Sequence, residues 1–164
     1  MTNTESEYFE DAYKEYADDL YRLCLVYLKK REDAEEAVTD TFIRLMERKP
    51  EFLNKAHEKA WLMKTAVNIC KNIHKSAWMR KVVPNDEVLA YMETPEEISV
   101  MEEVLSLPPK YRVIIYMHYY QGYKAAEIAN MLHMNESTVL SRLSRGRQQL
   151  RNILTEGGVF YARG

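Results

Sequence analysis

Polar and basic side chains recur on one face of residues 136–153, and their types separate into two kinds of chemistry. Val139, Leu143, Gly146, Leu150 and Ile153 fall on one helical stripe, while Ser137, Ser141, Ser144 and Gln148 fall opposite, flanked by Arg142, Arg145, Arg147 and Arg151. Hydroxyls and amides can hydrogen-bond base edges, and guanidiniums neutralise phosphates. A second stripe, Lys64, Asn68, Lys71 and Lys75 at steps of four, three and four, offers the same pairing of capacities. Periodicity alone does not separate this second stripe from a solvated basic face. Catalysis has no comparable footing: Glu35 with Glu36 and Asp18 with Asp19 are adjacent acids that no nucleophile, phosphate loop or metal motif accompanies. Cys24 and Cys70 sit in apolar stripes and read as buried free thiols, and His57, His74, His118 and His133 show no ligand spacing. The chain is therefore expected to be no enzyme and to need no metal or cofactor.

The elements that must position these residues are helical. Ala125, Ile128, Ala129 and Leu132 space one helix, a break follows at His133, Met134 and Asn135, and Asn135 is a good N-cap for a helix from Glu136. Gly146 lets that helix pack closely. The arrangement is a helix-turn-helix, which lays its second helix in the DNA major groove. Upstream, Phe9, Ala12, Tyr16, Leu20, Leu23 and Tyr27 space a first long helix; Ala34, Val38, Thr41 and Leu45 space a second, stopped by Pro50. A third is predicted over about Glu58 to Arg80, burying Leu62, Ala66, Ile69 and Ile73. Trp61 and Trp78 are expected to pack rather than stack on bases. The stretch VVPNDEVLAYMET reads as a loosely structured linker, after which Thr94 caps a helix with Pro95 at its first position and Glu97 completing the box. Pro108 and Pro109 break that helix, and Tyr111 to Tyr120 form the next, ended near Gly122.

Charge is distributed in blocks that the total of −2 conceals. Residues 1–57 carry nine basic and fourteen acidic side chains, 58–81 six and one, 82–109 none and seven, and 110–164 eight and three. Two basic segments separated by an acidic one suggest two nucleic-acid contacts joined by a linker that avoids DNA. The expected fold is all-α, with domains at 1–81 and 95–164 and the acidic linker at 82–94.

At this point the residues resemble a known family. The C-terminal LPPKYR, Gln121-Gly122, Glu127-Ile128-Ala129 and the run Thr138 to Arg147 look like region four of bacterial RNA polymerase sigma factors of the extracytoplasmic-function group. Independently, Asp33-Ala34-Glu35-Glu36 through Thr41-Phe42-Ile43, then Ala60-Trp61-Leu62 and Ala66-Val67-Asn68, resemble region two of the same group. The resemblance implies an alternative sigma factor that binds core RNA polymerase, directs it to promoters and assists melting. It implies that Glu36, Thr39, Asp40 and Ile43 dock on the polymerase clamp helices and that the second domain touches the flap. Lys64, Asn68, Lys71, Asn72 and Lys75, with the loop Phe52 to His57, would engage the minus-10 element, where a base is captured out of the duplex. Lys124, Asn135, Glu136, Ser137, Thr138, Ser141, Arg142 and Arg145 would serve the minus-35 element. An anti-sigma protein is a further partner that the resemblance admits.

Some positions depart from the family pattern. Thr39 stands where glutamine is usual, and Lys124 replaces the usual Ser or Thr cap, placing a cation where a phosphate should lie. His133 takes a position often held by glycine, and Leu140 replaces a usual Lys or Arg. The competing class, a stand-alone helix-turn-helix regulator, would explain the C-terminal half but leaves the Asn68 stripe without a role. The longest apolar run is the short Val113 to Met117, and the N-terminus, MTNTESE, is acidic where a signal peptide is basic. A cytoplasmic protein without membrane insertion is expected.

Overall fold

The structure is a computed structural model that describes residues 2–77, 86–90 and 100–156. Its chain divides into two compact units, Met1–Val83 and Pro84–Gly164. Every regular element among the described residues is helical.

The first unit packs three long helices pairwise: α1 (Asn3–Leu28), α2 (Arg31–Arg48) and α3 (Lys55–Ala77). A capping box starts α1, with Thr2 Oγ1 accepting from the Glu5 amide at 3.1 Å and Glu5 Oε2 accepting from the Thr2 amide at 3.2 Å. The acidic N-terminal residues are thus the opening turn of a helix. Both α1 and α2 close through a lysine in the left-handed region, Lys29 at φ 62° and Lys49 at φ 43°. Leu20, Leu23, Leu25, Leu45, Leu62 and Met63 are fully buried between the three helices. Each such side chain contributes about 1.5–3 kcal/mol by leaving water.

The third helix begins three residues before the sequence periodicity predicts. Asn54 Oδ1 accepts from the His57 amide at 2.9 Å, an N-cap that starts the helix at Lys55 rather than Glu58. Lys55, Ala56 and His57 are exposed, so no apolar spacing announces this first turn. Only Phe52, Leu53 and Asn54 of the expected Phe52 to His57 loop are non-helical. Residues 78–80, and with them Trp78, lie outside the described residues.

The second unit holds α4 (Asp86–Leu89), α5 (Met101–Leu105), α6 (Pro109–Ile115), α7 (Ala125–Leu132) and α8 (Glu136–Glu156). The segment expected to be a loose linker contains α4, whose Val88 is fully buried. The Thr94-Pro95 helix start lies outside the described residues. α5 ends at Leu105, ahead of Pro108 and Pro109 as the sequence predicts, and α6 starts at Pro109 rather than Tyr111, with the proline at its first position, where its missing N–H costs nothing. Arg112 accounts for much of the local geometry: its Nη1 donates to the carbonyls of Leu105 at 3.0 Å and Leu107 at 2.9 Å. That pair of bonds fixes the turn between α5 and α6. The predicted regular helix to Tyr120 instead widens into a π turn over Tyr116–Tyr120, with the Gln121 amide donating to Tyr116 O at 3.1 Å. Gly122 follows at φ 80°, a conformation open to glycine without strain. No helix among the described residues is long and apolar enough to cross a membrane.

Candidate nucleic-acid interface

In the second unit the turn before α8 depends on a histidine in an unusual conformation. His133 has φ 55° and ψ 49°, the left-handed region, and the next amide, Met134, donates back to Ala129 O at 3.0 Å. Histidine thus makes the turn that glycine makes in the family pattern. The backbone carbonyl of Asn135 accepts from Thr138 and Val139 and begins α8. Lys124, without a side-chain acceptor, cannot cap α7 as serine would. Glu127 reaches back instead, its Oε1 accepting from the Lys124 amide at 3.0 Å. His118 Nδ1 donates to Tyr123 O at 2.7 Å and secures the preceding loop.

The inner side of α8 is Val139, Leu143 and Gly146. A Cβ at position 146 would lie 3.1 Å from Ile115 Cγ1 and 3.4 Å from Tyr111 Cβ, so glycine is what lets α8 lie this close to α6. Outward stand Glu136, Ser137, Leu140, Ser144 and Arg145, with Thr138, Ser141 and Arg142 half-buried beside them; Lys124 and Asn135 are exposed. The arginines are not equivalent. Arg147 Nη1 donates to Tyr119 Oη at 3.0 Å and Arg151 Nη1 to Gln148 Oε1 at 3.1 Å. Arg142 and Arg145 have no ion pair among the described residues and line a cleft beside Ser137, Thr138 and Ser141.

In the first unit α3 carries its cations in two zones. Near its start, Lys55 pairs with Glu15 at 2.9 Å and Lys59 with Asp19 at 3.3 Å, both acids on α1. Beyond them Asn68, Lys71, Asn72 and Lys75 are exposed and Lys64 is half-buried; among the described residues none of these three lysines has an ion pair. The uncompensated charge therefore lies around Asn68. On α2, Glu36, Thr39 and Ile43 are exposed and Asp40 is half-buried. Ile43 shows 43% of its surface, and Met46, one turn on, 38%. Leu53, next to the cap of α3, is 90% exposed, while its neighbour Phe52 packs edge-on against His57 and Trp61.

Glu58 was not singled out by sequence reasoning beyond marking a helix start, because a lone acid carries no spacing signal. It is buried, with Tyr8 Oη donating to Oε2 at 2.6 Å and Tyr16 Oη to Oε1 at 2.7 Å. Lys55 Nζ lies 3.6 Å from Oε1. This network pins the first turn of α3, hence the Phe52–Asn54 loop, to α1. Cys24 and Cys70 are buried free thiols, and the Cys24 thiol beside Cys70, together with burial, pushes the Cys70 thiol up.

Comparison with known proteins accounts for both units. Residues 12–80 match the family described as Sigma-70 region 2, and residues 97–150 the family described as Sigma-70, region 4. The ECF RNA polymerase sigma factor SigL of Mycobacterium tuberculosis is 31% identical over 158 residues, covering 90% of this chain and 89% of the relative. SigM of the same organism is 29% identical, covering 89% and 76%, and SigW of Bacillus subtilis 26%, covering 90% and 89%. Among solved structures, the sigma factor RpoE from Bartonella quintana, in complex with the anti-sigma factor NepR, shares the fold with a TM-score of 0.66 at 18% identity, covering 89% of this chain and 96% of that one. The chain belongs to the sigma-70 family, in the extracytoplasmic-function group. It is an alternative sigma factor, which directs RNA polymerase to promoters. A stand-alone helix-turn-helix regulator is not favoured, since it leaves the region 2 match without a role.

Proposed function

We propose a division of labour between the units. Residues 1–81 form the domain that docks on core polymerase and engages the minus-10 element, 82–94 the linker, and 95–164 the domain that reads the minus-35 element. Glu36, Thr39, Asp40 and Ile43 contact the clamp helices, and the second domain also meets the flap. Asn68 holds a base drawn out of the minus-10 duplex, with Lys64, Lys71, Asn72 and Lys75 on nearby phosphates. Binding energy spent on an unstacked base favours the open strand, so recognition itself assists melting. Ser137 and Ser141, with Asn135, Glu136 and Thr138 at the helix start, face the minus-35 major groove, while Lys124 and Arg142 meet phosphates and Arg145, one turn further along, is placed to do the same.

The observation that carries this reading is the pair of uncompensated basic faces, one in each unit, both built around polar groups able to read bases. Two separate DNA contacts suit a subunit that spans a promoter while held on polymerase. Such a protein works where the chromosome and polymerase are, in the cytoplasm, and as an initiation factor rather than an enzyme. An anti-sigma protein is a candidate further partner, with the exposed Ile43 and Met46 as a surface it could cover. The test is binding to promoter duplex with and without core polymerase: the isolated chain binds weakly, and specific binding appears when core is added. Tight, sequence-specific binding by the chain alone would favour a self-sufficient regulator.

A further inference from the structure

A cleft of about 330 Å³ runs along the flank of α8, and one of its walls lies outside the helix-turn-helix. Lys110, on the first turn of α6, lines it together with Arg142 and Arg145 and the hydroxyl residues Ser137, Thr138 and Ser141. The lining contains three cations and no carboxylate. Among the described residues none of the three is in an ion pair, whereas Lys49, Lys55 and Lys59 of the first unit all are. Like charges gathered without a counterion repel one another, and an anion relieves that cost. Lys110 Nζ lies 5.0 Å from the centroid of the Tyr111 ring, within range of a cation–π contact. Tyr111 is itself buried against the close approach of α6 and α8 at Gly146. Exposed Lys110 thus has its ammonium over a ring that also lines the cleft.

We propose that Lys110 joins Arg142 and Arg145 in a seat for one phosphate group, a backbone phosphodiester of the duplex at the minus-35 element. The cleft lies between the outward serine stripe of α8 and its buried stripe. When a helix lies in a major groove, that flank faces the phosphate ridge. Exposed Ser137 and Arg145 open the cleft on the side of the serine stripe. Lys110 therefore adds affinity and register without adding sequence information. The inference rests on α8 being the minus-35 reader.

The experiment measures holoenzyme binding to promoter duplex as a function of salt, for the parent, Lys110→Ala and Lys110→Arg. The parent is first checked for minus-35 preference; its absence overturns the assignment of α8 and the phosphate seat with it. Given that preference, Lys110→Ala weakens binding to all minus-35 sequences alike and lowers the slope of log affinity against log salt by part of the roughly 0.9 that one neutralised phosphate contributes, since Arg142 and Arg145 still meet it, so its deficit grows as salt falls. Lys110→Arg keeps the slope. Replacing single phosphates by neutral methylphosphonates finds one position at which the parent loses more affinity than Lys110→Ala does. A parent-like slope in Lys110→Ala overturns the proposal. So does saturable binding of inorganic phosphate to the free protein that needs Lys110 while the promoter slope does not, because the seat then serves a free anion.

Discussion

Two carboxylate oxygens with a tyrosine hydroxyl on each make Glu58 a residue whose charge state the fold depends on. Burial pushes its carboxyl up, but the hydrogen bonds from Tyr8 and Tyr16 and the nearby Lys55 outweigh burial and hold it below its ordinary 4.5. Burial first, and then Glu58, push both phenols upward. Since the folded value lies below the unfolded one, the contribution is complete above about pH 4.5 and is lost as pH falls through the lowered folded value. Glu58→Gln is expected to cost about 2 kcal/mol at neutral pH, from loss of charge-assisted hydrogen bonds. Denaturant melts of both proteins across the acid range check it: the gap between them narrows as Glu58 protonates. A gap independent of pH would mean that shape, not charge, is what the site requires. At Asn68 the expected effect is on opening. Asn68→Ala leaves the fold intact, since the side chain is exposed, but lowers open-complex formation and base discrimination at one minus-10 position. Permanganate reactivity of promoter thymines reads this, and equal reactivity in variant and parent would remove Asn68 from base capture.

Each helix presents a face whose use can be tested apart from its packing. Ile43 lies opposite Ala34, Val38 and Leu45, all buried, and exposes 43% of its surface. Ile43→Asp should weaken core polymerase binding by at least tenfold, about 1.4 kcal/mol, with helical circular dichroism unchanged. Unaltered core affinity would leave that apolar residue without a partner. On α8, half-buried Arg142 should act on phosphate and Ser141 on sequence. Arg142→Ala is expected to weaken binding on all minus-35 variants and to reduce the salt slope by up to about 0.9, whereas a bulky residue at position 141 costs about 1–3 kcal/mol on the original site and shifts the preferred sequence. The reverse pattern, read across a panel of minus-35 substitutions, would mean that α8 enters the groove in another rotation. The buried stripes of α1, α2, α3, α7 and α8 were legible because apolar spacing encodes them directly, except toward the ends of α3 and α8, where Ile73, Leu150 and Ile153 are only half-buried. The true start of α3 was not, since a polar cap at Asn54 and three exposed residues leave no periodicity to count. Nor was the π turn after Ile115, where every residue type is compatible with an ordinary helix. Lys110 and Glu58 were missed for a different reason: both act through residues distant in sequence, and a single charge has no pattern.

At the scale of the molecule, the alternation of charge along the chain corresponds to structure. The strongly acidic 82–109 segment spans the boundary between the units, and the cations around Asn68 and beside Ser141, which have no ion pair among the described residues, belong to separate compact bodies. An acidic stretch of chain repels phosphate, so on the proposed reading it disfavours non-specific wrapping and leaves the polymerase to set where each unit meets the promoter. The most direct test of that account is transcription from a genomic fragment library by core polymerase supplied with this chain, mapping where transcripts begin. The prediction is a discrete set of start sites sharing minus-35 and minus-10 motifs, absent with core alone. If the chain instead bound library fragments tightly without polymerase and gave no start sites beyond those of core alone, the account would be contradicted.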